Sequence, residues 1–578
     1  MSIPRPEYPR PQMQRDEWLN LNGKWQFEID HGDSGRERGL PAQMGLSGSI
    51  TVPFCPESSL SGVGHTDFMP AVWYKRSFTL SEAWRGRRLL IHFGAVDYET
   101  ELWLNGDYVG SHRGGYASFS FDITPWLKEG ENLLTLCARD NIRLRKQPSG
   151  KQSHKLHSYE CSYTRTTGIW QTVWLEPVGE ERIESFQLYP DPDNSCLTIK
   201  ARLKGDMKGR TLRASARLEG QPAGQVEVKA AGQQVTFSLP LSRLKLWEPG
   251  QPTLYDLSLR LMSAGETLDH VDSYFGMRSV SIKGGAVCLN GRPLFHRLVL
   301  DQGFYPDGIY TAPSDEALKR DIELSMALGF NGARLHQKVF EQRFLYWADR
   351  LGYLVWGEYA DTGLDLSDLS VLYWMLPEWL EVIQRDFNSP ALVAWCPLNE
   401  VRNGASGARL RPDLIAHIYE ATKRLDETRP VIDASGFVHG RTDIFDVHEY
   451  EQDPDRFRAM FAPMAEGGPA YNTHPAAQVY QGQPYMVSEY GGTWWSPDND
   501  PDNQMSYGSK PRSQAEFLDR FAQLTDTLLA NPAICGLCYT QLYDVEQEVN
   551  GLYTYDRAAK FDPALIRAVL SKRAAIEE

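Results

Sequence analysis

PLFHRLVL (293–300), NGARLH (331–336), YLVWGEY (353–359), ALVAWC (391–396), VIDAS (431–435), DIFDVHEY (443–450), PYMVSEY (484–490) and ICGLCYTQ (534–541) are eight short apolar runs. Most are followed by a stretch that reads as amphipathic helix. Ser314, ahead of DEALKRDIELSMALG, supplies an N-cap, and a Glu–Lys pair three residues apart lies in the helix behind it. EQRFLYWADRLG (341–352) closes on a glycine suited to a C-cap. Eight strand–helix units within residues 279–578 predict a (β/α)8 TIM barrel.

Upstream of 279 the texture is all β. KWQFEI (24–29), WYKRSFTL (73–80), RRLLIHFG (87–94), YETELWLNG (98–106) and NLLTLCARD (132–140) are short and often alternating. Asn105-Gly106 between apolar runs is a strong hairpin signal. Many short strands without helices predict a sandwich over 1–178. SFQLYP (185–190), CLTIKARLK (196–204), TLRASARLE (211–219), QVTFSLP (234–240) and YDLSLRLM (255–262) predict a second, immunoglobulin-like sandwich over 179–278. The Cys…Trp…Cys spacing of antibody domains is absent.

Composition narrows the function. Of 578 residues 42% are apolar and 23% charged, which excludes disorder, collagen and coiled coil for the whole chain. No run of 18 apolar residues is present, so no membrane-spanning helix is expected. MSIPRPEYPR has three prolines and no apolar core, so no secretory leader is expected and a cytoplasmic location follows. The net charge is −15, from 60 basic and 75 acidic residues, and the one basic run, RLRK (143–146), is short. Nucleic acid is therefore not an expected partner. Eight scattered cysteines make no disulfide framework. Cys535 and Cys538 fall in a strand, where residues three apart point to opposite faces, so no redox or metal pair is expected. Sixteen Trp and 27 Tyr supply flat rings that cover sugar faces and equally fill β cores.

Reactive groups of a barrel gather at the C-terminal ends of its strands. The polar residues there are Asp301, Arg334, His336, Glu358, Asn399, Glu400, His448, Tyr450, Glu489, Tyr539 and Gln541. Glu400 ends the fourth strand and Glu489 the seventh, and those strands face one another across the mouth. Two facing carboxylates can flank a glycosidic bond. At about 5–5.5 Å they give double displacement with retention, and at about 6.5–9.5 Å they admit a water and give inversion. One must stay protonated and the other ionised. A strand-end Glu can also simply pair with an Arg.

With those positions fixed, the chain resembles glycoside hydrolase family 2 along essentially its whole length. The likeness rests on LNGKWQF (21–27), LWLNGDYVGSHRGGYASFSFDIT (102–124), TGIWQTVWLEPV (167–178), FGMRSV (275–280), LNGRPL (289–294), WCPLNE (395–400) and SEYGG (488–492). It implies a jelly-roll sugar-binding-like domain first. It also implies Glu400 as acid/base and Glu489 as nucleophile. Asn399 would hold the sugar 2-hydroxyl, Tyr450 would orient Glu489, Arg334 would lie beneath it, and His448 would contact substrate. The family's Arg-x-Ser-His reads Arg334-Leu335-His336-Gln337 here, with the histidine one place early, which in a strand is the opposite face. The first strand lacks the usual Arg-His-Glu and leaves Asp301 as the candidate to grip hydroxyls, with His296 an interior residue. Tyr539 stands where the family often has Trp.

The family's β-glucuronidases read a uronate carboxylate with Asn-x-Lys. In EVNGLYTYDR (548–557) Glu548 and Asn550 occupy that place, and Glu548 repels a carboxylate. A neutral β-galactoside is therefore the leading substrate. A β-galacturonide or β-glucuronide is the alternative, its acid taken by Arg334, Arg297 or Arg402. Trp494, Trp495 and the loop 496–511 are placed to wall the aglycone side. The expected partner is a small glycoside or oligosaccharide, with no cofactor and no metal, since no HExxH, calcium loop or Cys/His cluster appears. Members of the family often form dimers or tetramers, to which no residue here commits. Two readings compete: a non-catalytic carbohydrate-binding protein, and a metal-dependent hydrolase using Asp301, His336, Glu358 and His448.

Overall fold

The structure is a computed structural model that describes residues 3–144, 146–401, 409–496 and 507–577. Arg145 of the basic run, Arg402 and most of the loop 496–511 lie outside the described residues.

The first unit is a jelly-roll sandwich. Its six-stranded sheet runs, in spatial order, Gly48–Val52, Gly23–Asp30, Ala71–Thr79, Glu131–Arg139, Glu99–Leu104 and Asp107–Arg113. The facing sheet is Leu19–Asn20, Val173–Val178, Arg88–Phe93 and Phe119–Asp122. Alternation decides which side chains go in: Trp25 and Phe27 of one strand join Leu89, Ile91 and Phe93 of the opposing sheet in one core. Asn105 and Gly106 turn the hairpin with φ of 56° and 92°, the pair of positive values that a type I′ turn requires.

The second sandwich packs Arg182–Asp191, Cys196–Lys204 and Gln234–Pro240 against Gln221–Lys229, Arg210–Leu218, Tyr255–Ser263 and Glu266–Phe275. Leu197, Ile199, Ala201 and Leu203 face its core, while Lys200, Arg202 and Lys204 face out.

The third unit is the barrel. Seven parallel strands pair in the order Leu392–Cys396, Leu354–Glu358, Gly332–Leu335, His296–Asp301, Ile534–Thr540, Tyr485–Gly491 and Phe445–Glu449. The segment 431–435 lies along the fourth strand through single parallel bridges, Trp395 to Val431 and Asn399 to Ser435, and Ser435 Oγ donates to Asp446 of the Phe445–Glu449 strand at 2.6 Å. VIDAS is thus the fifth stave but too irregular for a continuous ladder. Among the described residues seven helices surround the strands: α1 Asp315–Ala327, α2 Gln342–Leu351, α3 Val371–Asp386, α4 Pro412–Leu425, α5 Pro454–Ala465, α6 Gln514–Leu529 and α7 Pro563–Leu570. Ser314 caps α1 by accepting from the Ala317 N–H, and Gly352 ends α2 with φ 74°. Among the described residues no helix is long and apolar enough to cross a membrane. Cys535 and Cys538 are buried and unbridged.

Candidate active site

Arg334 organises the mouth of the barrel. Its strand, GARL, is wholly buried, so the guanidinium must find every partner inside the protein. Nε donates to Glu358 Oε1 at 2.5 Å, Nη2 to Asn399 Oδ1 at 2.9 Å, and Nη1 to Glu489 Oε1 at 3.0 Å and the Ser488 carbonyl at 2.8 Å. Burial disfavours the cation, yet Glu358 and Glu489 outweigh it and keep Arg334 charged far above its ordinary range. Glu358 is likewise penalised by burial, but Arg334 and His336 draw its carboxyl down to about 2.

Glu489 lies on the strand Tyr485–Gly491 with a side chain 6% exposed. Its second oxygen accepts from the Tyr450 hydroxyl at 2.5 Å. Burial first, then the Glu489 charge, holds Tyr450 protonated as that donor. Tyr450 also meets Thr540 Oγ1 at 3.1 Å and stacks on Tyr507 at 3.8 Å between ring centres. Glu400 takes φ 49°, a strained conformation for a non-glycine, held by its N–H on the Ser435 carbonyl at 2.9 Å. Its side chain is 29% exposed and so faces the solvent that Glu489 avoids.

His448 stands between the two carboxylates, its Nδ1 2.9 Å from Glu400 Oε1 and 3.4 Å from Glu489 Oε2. Arg334 Nη1 lies 3.3 Å from its Nε2, and a guanidinium can only donate. Ser435 Oγ lies nearer, 3.1 Å from Nε2, and Nδ1, set between two carboxylates, directs a proton at Glu400. One oxygen from Glu400 and one from Glu489 lie within 4.8 Å of each other. That spacing suits attack by one carboxylate on the sugar and leaves too little room for an inverting water. Glu400, His448 and Glu489 also form a group able to hold a cation, as do Asp16, His270 and Asp272 at the surface.

The remaining sequence candidates divide. Asn399 joins the site, and its Nδ2 has no partner among the described residues. His336 joins as well, 3.1 Å from Glu358 Oε2, with burial holding it neutral. It lies two places after the inward Arg334 and so on the same face by plain alternation, which corrects the expectation that it points away. Glu548 is buried there, accepting from Tyr163 and from Asn550 Nδ2 at 3.0 Å, and Gln541 in turn donates to Asn550 at 2.7 Å. Trp494 is buried with Lys510 3.9 Å over its ring.

Asp301 is held instead by Tyr543 and the Gly303 N–H. Burial, and Asp321 beyond it, push its carboxyl up to about 6. Tyr539 corrects the expectation that it replaces a site tryptophan. Cys538 points inward beside Arg334, so alternation sends Tyr539 outward against Phe521 of α6 and Tyr490. Arg297 is corrected too: it binds Glu577 and the Leu570 carbonyl near the C-terminus. The four ligands of the metal-hydrolase reading are not gathered, since Asp301 belongs to the separate network of Tyr543. Sequence reasoning missed Lys151, Tyr163, Ser435 and Tyr507. Lys151 and Tyr163 come from the jelly roll, and no local spacing reveals them.

A barrel with paired carboxylates at opposed strand ends, preceded by two sandwiches, defines the class. Models of three domains match the chain in order. "Glycosyl hydrolases family 2, sugar binding domain" covers residues 19–176, "Glycosyl hydrolases family 2" covers 181–278, and "Glycosyl hydrolases family 2, TIM barrel domain" covers 280–569. The chain belongs to glycoside hydrolase family 2. It is 25% identical over 442 residues to a β-galactosidase of Thermoanaerobacter pseudethanolicus, covering 74% of this chain and 54% of that one. It thus spans about half the length of that relative. It is 25% identical over 463 residues to a β-glucuronidase of Paenibacillus borealis, covering 73% and 74%. In fold it is similar to the Ruminococcus gnavus β-glucuronidase, with TM-score 0.81 over 98% of this chain and 100% of that one at 18% identity.

Proposed function

We propose that the chain is an exo-acting, retaining β-glycosidase, β-galactosidase-like in substrate. Glu489 attacks the anomeric carbon while Glu400 protonates the departing oxygen. Glu400 then takes a proton from water, which attacks the same carbon, releases Glu489 and restores the β anomer. Arg334 and Tyr450 each donate to one oxygen of Glu489 and keep the attacking carboxylate aligned. The His448 proton steadies Glu400. Asn399 Nδ2 is a donor for the 2-hydroxyl, a bond that tightens in the transition state. The greater exposure of Glu400 suits the role that must exchange protons with water.

The separation of 4.8 Å or less between Glu400 and Glu489 oxygens carries the reading. Glu358, His336, Trp494, Glu548 and Asn550 are taken as residues that shape or support the pocket. The division at 178/179 and 278/279 is taken as the domain plan. A uronide is the second reading, favoured by one observation, a lysine in the field of the site. Hydrolysis of a panel of nitrophenyl β-glycosides tests both. The expected result is a β-galactoside preference, β-galactose as first product by NMR, and a Glu489→Gln variant below about a thousandth of wild-type rate. Inversion, or an undiminished Glu489→Gln rate, overturns the proposal.

A further inference from the structure

The jelly roll reaches into the mouth of the barrel. Ser149 and Gly150 donate their N–H groups to the Thr362 and Ala360 carbonyls at 2.8 and 3.2 Å. Tyr163 pairs with the same loop, its N–H on the Lys151 carbonyl at 2.7 Å, and sends its hydroxyl to Glu548. Lys151 is thereby held half-buried, in a field set by Cys161 and Glu548 and, after them, by Glu400 and Glu489. Its Nζ makes no hydrogen bond or ion pair among the described residues. Three N–H donors are therefore free for a ligand at a place where both sandwich and barrel line the site.

We propose that Lys151 and Glu548 together read the glycone. Glu548 accepts from one hydroxyl and Lys151 donates to its neighbour on an uncharged hexopyranose, so that the jelly roll completes the specificity pocket. This rests on the glycosidase reading above and names its substrate class. A uronate carboxylate would be one more anion beside Glu489 and Glu548, with Glu358 beneath. Arg334 already donates from all three of its nitrogens to protein acceptors, and a single lysine shared by Glu489 and Glu548 is left to offset the added charge. A hydroxyl pair needs one donor and one acceptor, which is what Lys151 and Glu548 offer.

The test compares wild type, Lys151→Ala, Lys151→Arg and Glu548→Gln on nitrophenyl β-galactoside, its 4-deoxy and 6-deoxy analogues, and nitrophenyl β-galacturonide. Labelling of Glu489 by a 2-deoxy-2-fluoro-β-galactosyl fluoride is read alongside. The expected result is a galactoside preference in wild type and a fall in kcat/KM for Lys151→Ala of about 10- to 150-fold, the worth of a charged hydrogen bond. Lys151→Arg should restore part of that loss. The loss should vanish on one deoxy analogue, as a double-mutant cycle requires of a direct contact. An equal loss on every analogue, no loss at all, or a wild-type uronide preference that Lys151→Ala abolishes overturns this inference alone. A wild type silent on every glycoside and unlabelled at Glu489 overturns the glycosidase reading and this inference with it.

Discussion

Glu358 holds its place by charge, as the carboxylate that keeps Arg334 satisfied at the base of the site. Removing one partner of a buried pair leaves the other uncompensated. Glu358→Gln should therefore cost about 3–5 kcal/mol in urea unfolding at pH 7. The sign with pH follows from its folded value of about 2, below the ordinary carboxylate range. Its stabilisation is complete above that range and is lost as pH falls toward 2. The penalty of the variant should shrink when unfolding is repeated at pH 3.5; an equal penalty at both pH values would mean that lost packing, not charge, is the cause. At this scale the sequence was legible where a residue ends a strand: Glu358, Asn399, Glu400, His448, Tyr450 and Glu489 all reach one network. It was illegible where the count of inward and outward positions mattered. Tyr539 is one place from the inward Cys538, and His336 is two places from the inward Arg334 and so points the same way.

Among elements, the loop around Gly150 packs its backbone directly on the barrel. Gly150 has φ 54°, and a Cβ there would stand 2.1 Å from the Gln337 carbonyl oxygen, a backbone atom with little freedom to move. Gly150→Ala should therefore lift the loop off the barrel. The expected signs are faster trypsin cleavage at Lys151 and Lys155 and a kcat/KM about 10-fold lower or worse, at the scale of one lost charged contact. Gly467→Ala is the control, with similar φ (74°) but open space around the added methyl. It should show only the cost of about 1 kcal/mol for a left-handed alanine, with activity kept. The barrel staves were legible because buried parallel strands are apolar runs of limited length. The fifth, VIDAS, read correctly as a stave although its ladder is broken. The loop was not legible, because its contacts join residues about 210 positions apart, such as Ser149 and Thr362.

Across the whole molecule, buried carboxylates fall into two groups that set opposite limits on stability. Burial raises Glu57 to about 8, Asp349 and Asp361 to about 7, and Asp140 and Asp544 to about 6. Burial also penalises Asp426 and Asp446, but Arg429 for the one and His439 for the other draw them down to about 2, as Arg334 and His336 do for Glu358. A raised acid keeps in the folded chain a proton that the unfolded chain releases near pH 4, so its contribution declines as pH climbs from there to its folded value. A depressed acid contributes above the ordinary range and fails as pH drops. The melting temperature should therefore peak between about pH 4.5 and 6 and fall toward pH 8. Asp349 gives the sharpest check. From α2 it accepts from Ser389 Oγ at 2.6 Å, the Ala391 N–H at 2.8 Å and the Tyr274 hydroxyl at 2.8 Å, joining the barrel to the second sandwich. An asparagine can accept the first two bonds and donate to the tyrosine oxygen while carrying no proton to lose. Asp349→Asn should leave the melting temperature near wild type at pH 5 and make its decline from pH 6 to 8 shallower, by at most about 1.4 kcal/mol per pH unit. An unchanged slope would show that Asp349 ionises in the folded chain as readily as in the unfolded one, and that the joint tolerates the charge.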